Sequence, residues 1–232
     1  MVDPSHFRMI DVIGVAWILG IYVWLSLAQI VAAEVLDEER VIGMLDLWVS
    51  IGFQGVMAAM VILVMAPRVG ASVWLGLRWR GWRSLILLAP MSVVGMWLVF
   101  GGLQVAGYMR WLESLGVDSV QDSVRALQKQ DDAAFLVLMR FSAIVVAPIC
   151  EEVIFRGYLY GVAKRYCGPV AAALCTALIF AAAHASLVAL LPLALFGLLL
   201  AWLYERTGSL WAPIAAHACF NAATVVQLMM LQ

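Results

Sequence analysis

Hydrophobic positions along this chain run in long, nearly unbroken stretches, and the charged residues gather in short segments between them. A helix that crosses a bilayer needs about 20 mostly apolar residues. By that rule seven segments qualify: 11–33, 42–66, 84–108, 134–163, 168–184, 187–204 and 210–231. The fourth exceeds one crossing, so it is expected to tilt or to reach beyond the hydrocarbon, with Pro148 as a kink. The fifth is short and is also compatible with a half-buried helix. The expected fold is therefore all-α, a polytopic membrane helical bundle of seven transmembrane helices, or eight if one has been missed or merged. The working division is a three-helix N-terminal membrane part (1–110), a polar loop (111–133) and a C-terminal membrane core (134–231).

Composition turns this pattern into a statement about solvent. The chain has 232 residues, 65% hydrophobic and 12% charged, with a mean hydropathy of +0.99. A soluble domain of that size would need far more charge on its exterior. Lipid is the expected partner over most of the surface. A formal net charge of −1 gives no field suited to nucleic acid, and none is expected as a partner.

Charge placement says more than charge sum. The segment between the second and third spans carries Arg68, Arg78, Arg80 and Arg83 with no acidic residue, and Lys164 and Arg165 lie between the fourth and fifth. The first loop holds Glu34, Asp37, Glu38 and Glu39 against Arg40, and the stretch 110–132 is also net acidic. Basic loops stay in the cytoplasm. The N-terminus is thus expected inside, on an uncleaved first span, and the protein in the inner (cytoplasmic) membrane of a prokaryote. Val117, Val120, Val124 and Leu127 recur at helical spacing, which suggests an interfacial helix in the polar loop, with a simple linker as the alternative. Cys150, Cys167, Cys175 and Cys219 lack C-x-x-C spacing and read as small buried hydrophobes.

Ionisable residues inside apolar spans are costly and therefore informative. Asp11, Asp46 and Arg140 lie within about two turns of a helix end, where capping or snorkelling accounts for them. The C-terminal part is different. Its fourth span reads Ala147-Pro148-Ile149-Cys150-Glu151-Glu152-Val153-Ile154-Phe155-Arg156-Gly157. Glu152 and Arg156 are four apart on one helix face and can form a charge-assisted pair. Glu151, rotated by roughly 100°, points elsewhere. His184 ends the fifth span, and His217 and Asn221 share a face of the seventh. A structural polar knot would explain part of this set. It also holds the parts for hydrolysis without a covalent intermediate: Glu151 as general base on a water that His184 positions, with His217 and Asn221 as oxyanion donors.

Three ordered motifs carry a resemblance. E-E-x-x-x-R appears at Glu151, Glu152 and Arg156, F-x-x-x-H at Phe180 and His184, and H-x-x-x-N at His217 and Asn221. Together with Phe155-Arg156-Gly157 and the run Gly208 to Ile214, they make residues 135–225 similar to the CaaX-protease and bacteriocin-processing family of intramembrane proteases. The resemblance implies an endopeptidase acting on a peptide or protein substrate at the membrane. It also implies that Glu151 and His184 activate water, that Glu152 and Arg156 organise the site, and that His217 and Asn221 stabilise the oxyanion. No cofactor is required by that mechanism. A zinc ion held by Glu151, His184 and His217 is the alternative, because family members have been described as metalloproteases. A non-catalytic scaffold or immunity-type protein on the same fold, and a transporter, are the competing functions. The substrate's identity and the oligomeric state are unknown at this level.

One geometric condition follows. Counted from the cytoplasmic helix ends, Glu151 and His184 lie roughly 20 Å deep, while His217 comes out at about 10 Å. Convergence requires the 208–213 segment to dip into the membrane, or the boundaries to be shifted.

Overall fold

The computed structural model describes residues 3–36, 43–77, 82–117 and 132–230, and all regular structure among them is helical. The helices are α1 (Met9–Leu36), α2 (Met44–Val69), α3 (Ala71–Trp74), α4 (Trp82–Val105), α5 (Tyr108–Ser114), α6 (Ala133–Ala182), α7 (Leu187–Thr207) and α8 (Trp211–Met230). Among the described residues five helices are long and apolar enough to cross a membrane: α2, α4 from Ile86, α6, α7 and α8. The chain is a polytopic helical membrane bundle.

The expected segments coincide with α1, α2, α4, two limbs of α6, α7 and α8. The limbs of α6 meet at Gly168, whose φ of 80° and ψ of 169° lie outside the helical region. Pro169 follows, and a proline lacks the N–H that would continue the preceding helix. Pro148 acts differently from the expected kink. It follows a π-helical stretch, Ser142–Val146, and the backbone stays helical through Ala147. A proline ring collides with the carbonyl four residues back, and the wider turn there offers the relief. A second π-helical stretch, Val153–Leu159, follows the two glutamates. Of the proposed interfacial helix, residues 118–131 lie outside the described residues.

Helix ends are fixed by local chemistry. Asp132 Oδ1 accepts from the N–H groups of Ala134 and Phe135 at the start of α6, and Ser186 Oγ accepts from Ala189 N at the start of α7. Asp46 accepts from Gly43 N at 3.0 Å, the capping expected of it. Asp11 also receives the Arg8 N–H, but it is buried rather than snorkelling, and α2 and α6 reach it too.

Lipid is as apolar as leucine, so close packing rather than apolar transfer holds such helices together. α6 is buried throughout 152–162, and α7 is enclosed at Phe196, Gly197, Leu200 and Leu203 among other positions. α7 packs along the second limb of α6, while α8 packs along α4. A Cβ on Gly197 would stand 3.0 Å from Ala177, so small residues let α7 close onto α6. The outward faces carry large apolar side chains such as Trp17, Trp24, Leu63 and Leu98. The cysteine expectation is corrected accordingly. Only Cys150 is buried, whereas Cys167, Cys175 and Cys219 are exposed, because a lipid-facing surface accepts small apolar groups as readily as a core does.

Candidate active site

The polar residues of α6 are presented between the two π-helical stretches. Glu152 is fully buried, and its Oε1 accepts from Arg156 Nη1 at 2.9 Å. Arg156, also buried, donates through Nη2 to the carbonyl of Gly197 on α7 at 3.1 Å. Its guanidinium lies 4.6 Å from the centre of the Phe180 ring. Two hydrogen bonds and a ring face thus accommodate a charge that would be expensive to bury alone.

His217 enters from α8. Its Nδ1 lies 2.9 Å from the same Glu152 Oε1, and its Nε2 lies 3.9 Å from Glu151 Oε2. An ionised carboxylate only accepts. Nδ1 therefore carries the proton, and Nε2 is turned towards Glu151. The imidazole is held edge-on by Phe180 and Phe196, with ring centres at 5.8 and 5.4 Å.

Glu151 is the less enclosed glutamate, with its side chain 14% exposed. Its Oε2 is buried without a hydrogen-bond partner among the described residues, as is Glu152 Oε2. Asn221, one turn beyond His217, donates through Nδ2 to the carbonyl of Ala143 at 2.7 Å. That carbonyl belongs to the first π-helical stretch, and the second amide N–H of Asn221 is not used by that bond. His184 lies in the tight α6–α7 connection beside Ala185, which adopts a φ of 48°. Its Nδ1 donates to the Phe180 carbonyl at 2.8 Å, which leaves Nε2 as the acceptor. His184 is exposed, and it contacts the site through Phe180, whose ring centre is 4.9 Å away.

The structure thus brings Glu151, Glu152, Arg156 and His217 into one cluster, with Asn221 a turn away and His184 across Phe180. The convergence that the sequence count put in question is met, since His217 reaches Glu152. Leu210, its first capping residue, is fully buried and donates to the Leu75 carbonyl at 3.0 Å. Sequence reasoning missed Gly197, Phe196 and Trp74 as supports of the site. An isolated glycine within the apolar run of α7 was the one available signal, since such a glycine marks close packing. Among the described residues no three of His, Cys, Asp or Glu lie close enough to hold a metal ion. Glu151, His184 and His217 do not assemble as a ligand set in this geometry.

A buried Glu–Arg–His cluster in an all-helical membrane bundle defines the class to which the chain is compared. Residues 133–223 match the family described as "Type II CAAX prenyl endopeptidase Rce1-like", so the resemblance carried by the three motifs is shown over that stretch. The chain is similar to the Bacillus subtilis (strain 168) protein named "Putative membrane peptidase YdiL", with 29% identity over 143 residues. That alignment covers 62% of this chain and 57% of the relative. It is also similar to the Escherichia coli "Uncharacterized 24.3 kDa protein", with 37% identity over 87 residues, 35% of this chain and 40% of the relative. The matches therefore span about half the length of these curated relatives. No solved structure matches the chain.

Proposed function

We propose that the chain is an intramembrane endopeptidase that hydrolyses a peptide bond of a membrane-associated substrate with a glutamate-activated water. One observation carries the reading: His217 Nδ1 is bonded to Glu152 while its Nε2 is directed at Glu151. Glu151 takes a proton from water as the water oxygen adds to the peptide carbonyl. It returns that proton to the departing amine as the C–N bond breaks, leaving a carboxylic acid and an amine. The family resemblance assigns the orientation of that water to His184, which stands across Phe180 with Nε2 as its acceptor. His217 and the second amide N–H of Asn221 donate to the oxyanion.

His217 Nε2 can donate only as an imidazolium, because Nδ1 already donates to Glu152. With Glu151 and Glu152 ionised, an imidazolium and Arg156 bring the cluster to zero net charge. That is the balance a buried site tolerates best. Glu152 and Arg156 act by holding His217 in position.

The basic loops support a cytoplasmic N-terminus in a prokaryotic inner membrane, and both named relatives are bacterial. The test uses purified protein in detergent with a panel of membrane-adjacent peptides, prenylated and unprenylated, and mass spectrometry of the products. Wild type is expected to cut at a defined bond and Glu151→Gln to leave it intact. Equal turnover by both would overturn the mechanism, and a scaffold role would show as no turnover by either. Removing metal with o-phenanthroline should leave the wild-type rate within about twofold, since a carboxylate rather than a Lewis acid activates the water in this mechanism. Loss of rate restored by zinc alone would replace the proposed mechanism with a metal-dependent one.

A further inference from the structure

The segment 70–77, outside the family-matched stretch, joins three elements that carry or support the site. It opens at Gly70, runs through α3 and turns at Gly76. Trp74 is buried, and its indole N–H donates to the Gly157 carbonyl at 2.7 Å, within the second π-helical stretch of α6. The Trp74 carbonyl accepts from Tyr204 Oη on α7 at 3.4 Å. The Leu75 carbonyl accepts from Leu210 N at the head of α8, and the Leu77 carbonyl from the Trp211 indole at 3.4 Å.

Two glycines make this approach possible. A Cβ on Gly157 would stand 2.7 Å from Leu75 Cδ2. A Cβ on Gly76, whose φ is +59°, would collide with the Gly208 carbonyl. The strap therefore lies against the backbones of both α6 and the α7–α8 turn, with little room for adjustment.

The two π-helical stretches are treated alike. In the first, the Ala143 carbonyl accepts a side-chain donor from α8, Asn221. In the second, the Gly157 carbonyl accepts one from the strap, Trp74. Glu151 and Glu152 sit between these two anchored carbonyls. Arg156, immediately before Gly157, holds Glu152, and Leu210 begins the helix that carries His217.

We propose that Trp74 is a positioning residue: through the strap it sets the placement of the Glu151–Glu152 stretch of α6 relative to His217 on α8. It touches neither substrate nor the reacting atoms. It acts by fixing the distance between a base and a donor that come from different helices, and small misplacements of such groups are costly to rate. The inference rests on the endopeptidase reading above.

The test is Trp74→Phe, which keeps an aromatic ring in the pocket and removes the N–H. Cleavage of the peptide that wild type cuts is measured in detergent, with kcat and KM expressed per folded, monodisperse molecule. The expected result is a kcat lowered about tenfold with KM unchanged within about twofold. Wild-type kcat would overturn the proposal. So would a loss of activity fully accounted for by a lower folded fraction, since that marks a structural contact. If Trp74→Phe does not fold, Gly157→Ala decides. Its Cβ presses on the buried Leu75 side chain and so on the strap, while alanine suits a helix, and it should lower kcat about threefold, again at constant KM. An unchanged kcat there would equally overturn the strap's role. Wild type that cuts no peptide of the panel overturns the endopeptidase reading itself, and this inference with it.

Discussion

Among the described residues, the carboxylate clusters at Asp11 and at Glu151–Glu152 are built in opposite ways. At Asp11 every acceptor position is used. Oδ2 takes the Arg8 N–H at 2.7 Å and Arg68 Nη1 at 3.2 Å, while Oδ1 takes Arg68 Nη2 at 2.5 Å and lies 3.2 Å from the Tyr158 hydroxyl. Residues of three helices, α1, α2 and α6, meet at one carboxylate. At the α6–α8 cluster the charges are also paired, yet Glu151 Oε2 and Glu152 Oε2 are buried with no partner among the described residues. A saturated carboxylate braces a structure, because nothing more can be offered to it. An unsaturated one in a buried place is where a substrate or water finds an acceptor. Burial and charge alone do not separate the two, but the count of used lone pairs does.

The largest expected effect tests the unsaturated side. Glu151→Gln removes the proposed base and no hydrogen bond seen in the structure. Turnover should fall about a thousandfold, the scale of lost general-base catalysis, while thermal unfolding in detergent stays near wild type. A large loss of stability at unchanged turnover would reverse the comparison and make Glu151 a brace.

Next comes the pair that organises His217. Arg156→Met removes one of the two cations on Glu152 at a fully buried position, where breaking one partner costs about 3–5 kcal/mol. Denaturant unfolding in detergent measures it. Adding Glu152→Leu should recover at least half of that loss, because two apolar groups leave no orphaned charge. The double variant is expected to stay inactive, since His217 Nδ1 then has no carboxylate to hold it. Recovery of turnover along with stability would show that Glu152 has no part in placing the histidine.

Much of this was legible before any coordinates. Lipid imposes a length of apolar helix, so 42–66, 187–204 and 210–231 anticipate α2, α7 and α8 to within a few residues. The spacing of Glu152 and Arg156 gives their pairing directly, because one helical turn separates them. Periodicity, however, reports which face a residue occupies and not how deep its helix starts. His217 came out about 10 Å deep because that count starts every helix at the surface, whereas Leu210, at the head of α8, is packed inside the protein. The π-helical stretches leave no sequence trace beyond Pro148 and Gly157. The strap could not be read at all. Its Trp74-Leu75-Gly76 run is unremarkable as sequence and acquires meaning only when its carbonyls are seen to hold α7 and α8. Arg68 and Tyr158 share the latter difficulty, being 90 residues apart in sequence and joined through Asp11.

The smallest effect concerns that brace. Asp11→Asn keeps the shape of the side chain but replaces one carboxylate oxygen with an amide nitrogen, and it leaves the Arg68 guanidinium without its bidentate anion. A hydrogen bond to a charged group contributes about 1.5–3 kcal/mol, and Arg68 is one-fifth exposed, so water recovers part of the loss. A destabilisation of about 2 kcal/mol is expected, read from unfolding in detergent. Turnover per folded molecule should change less than about threefold, because α1 carries none of the proposed catalytic groups and the strap still ties α6 to α8. If Asp11→Asn instead lowers kcat as far as Glu151→Gln does, the division between a saturated brace and an unsaturated site fails. Tyr158, one residue beyond Gly157, would then have to be counted among the groups that place the glutamates.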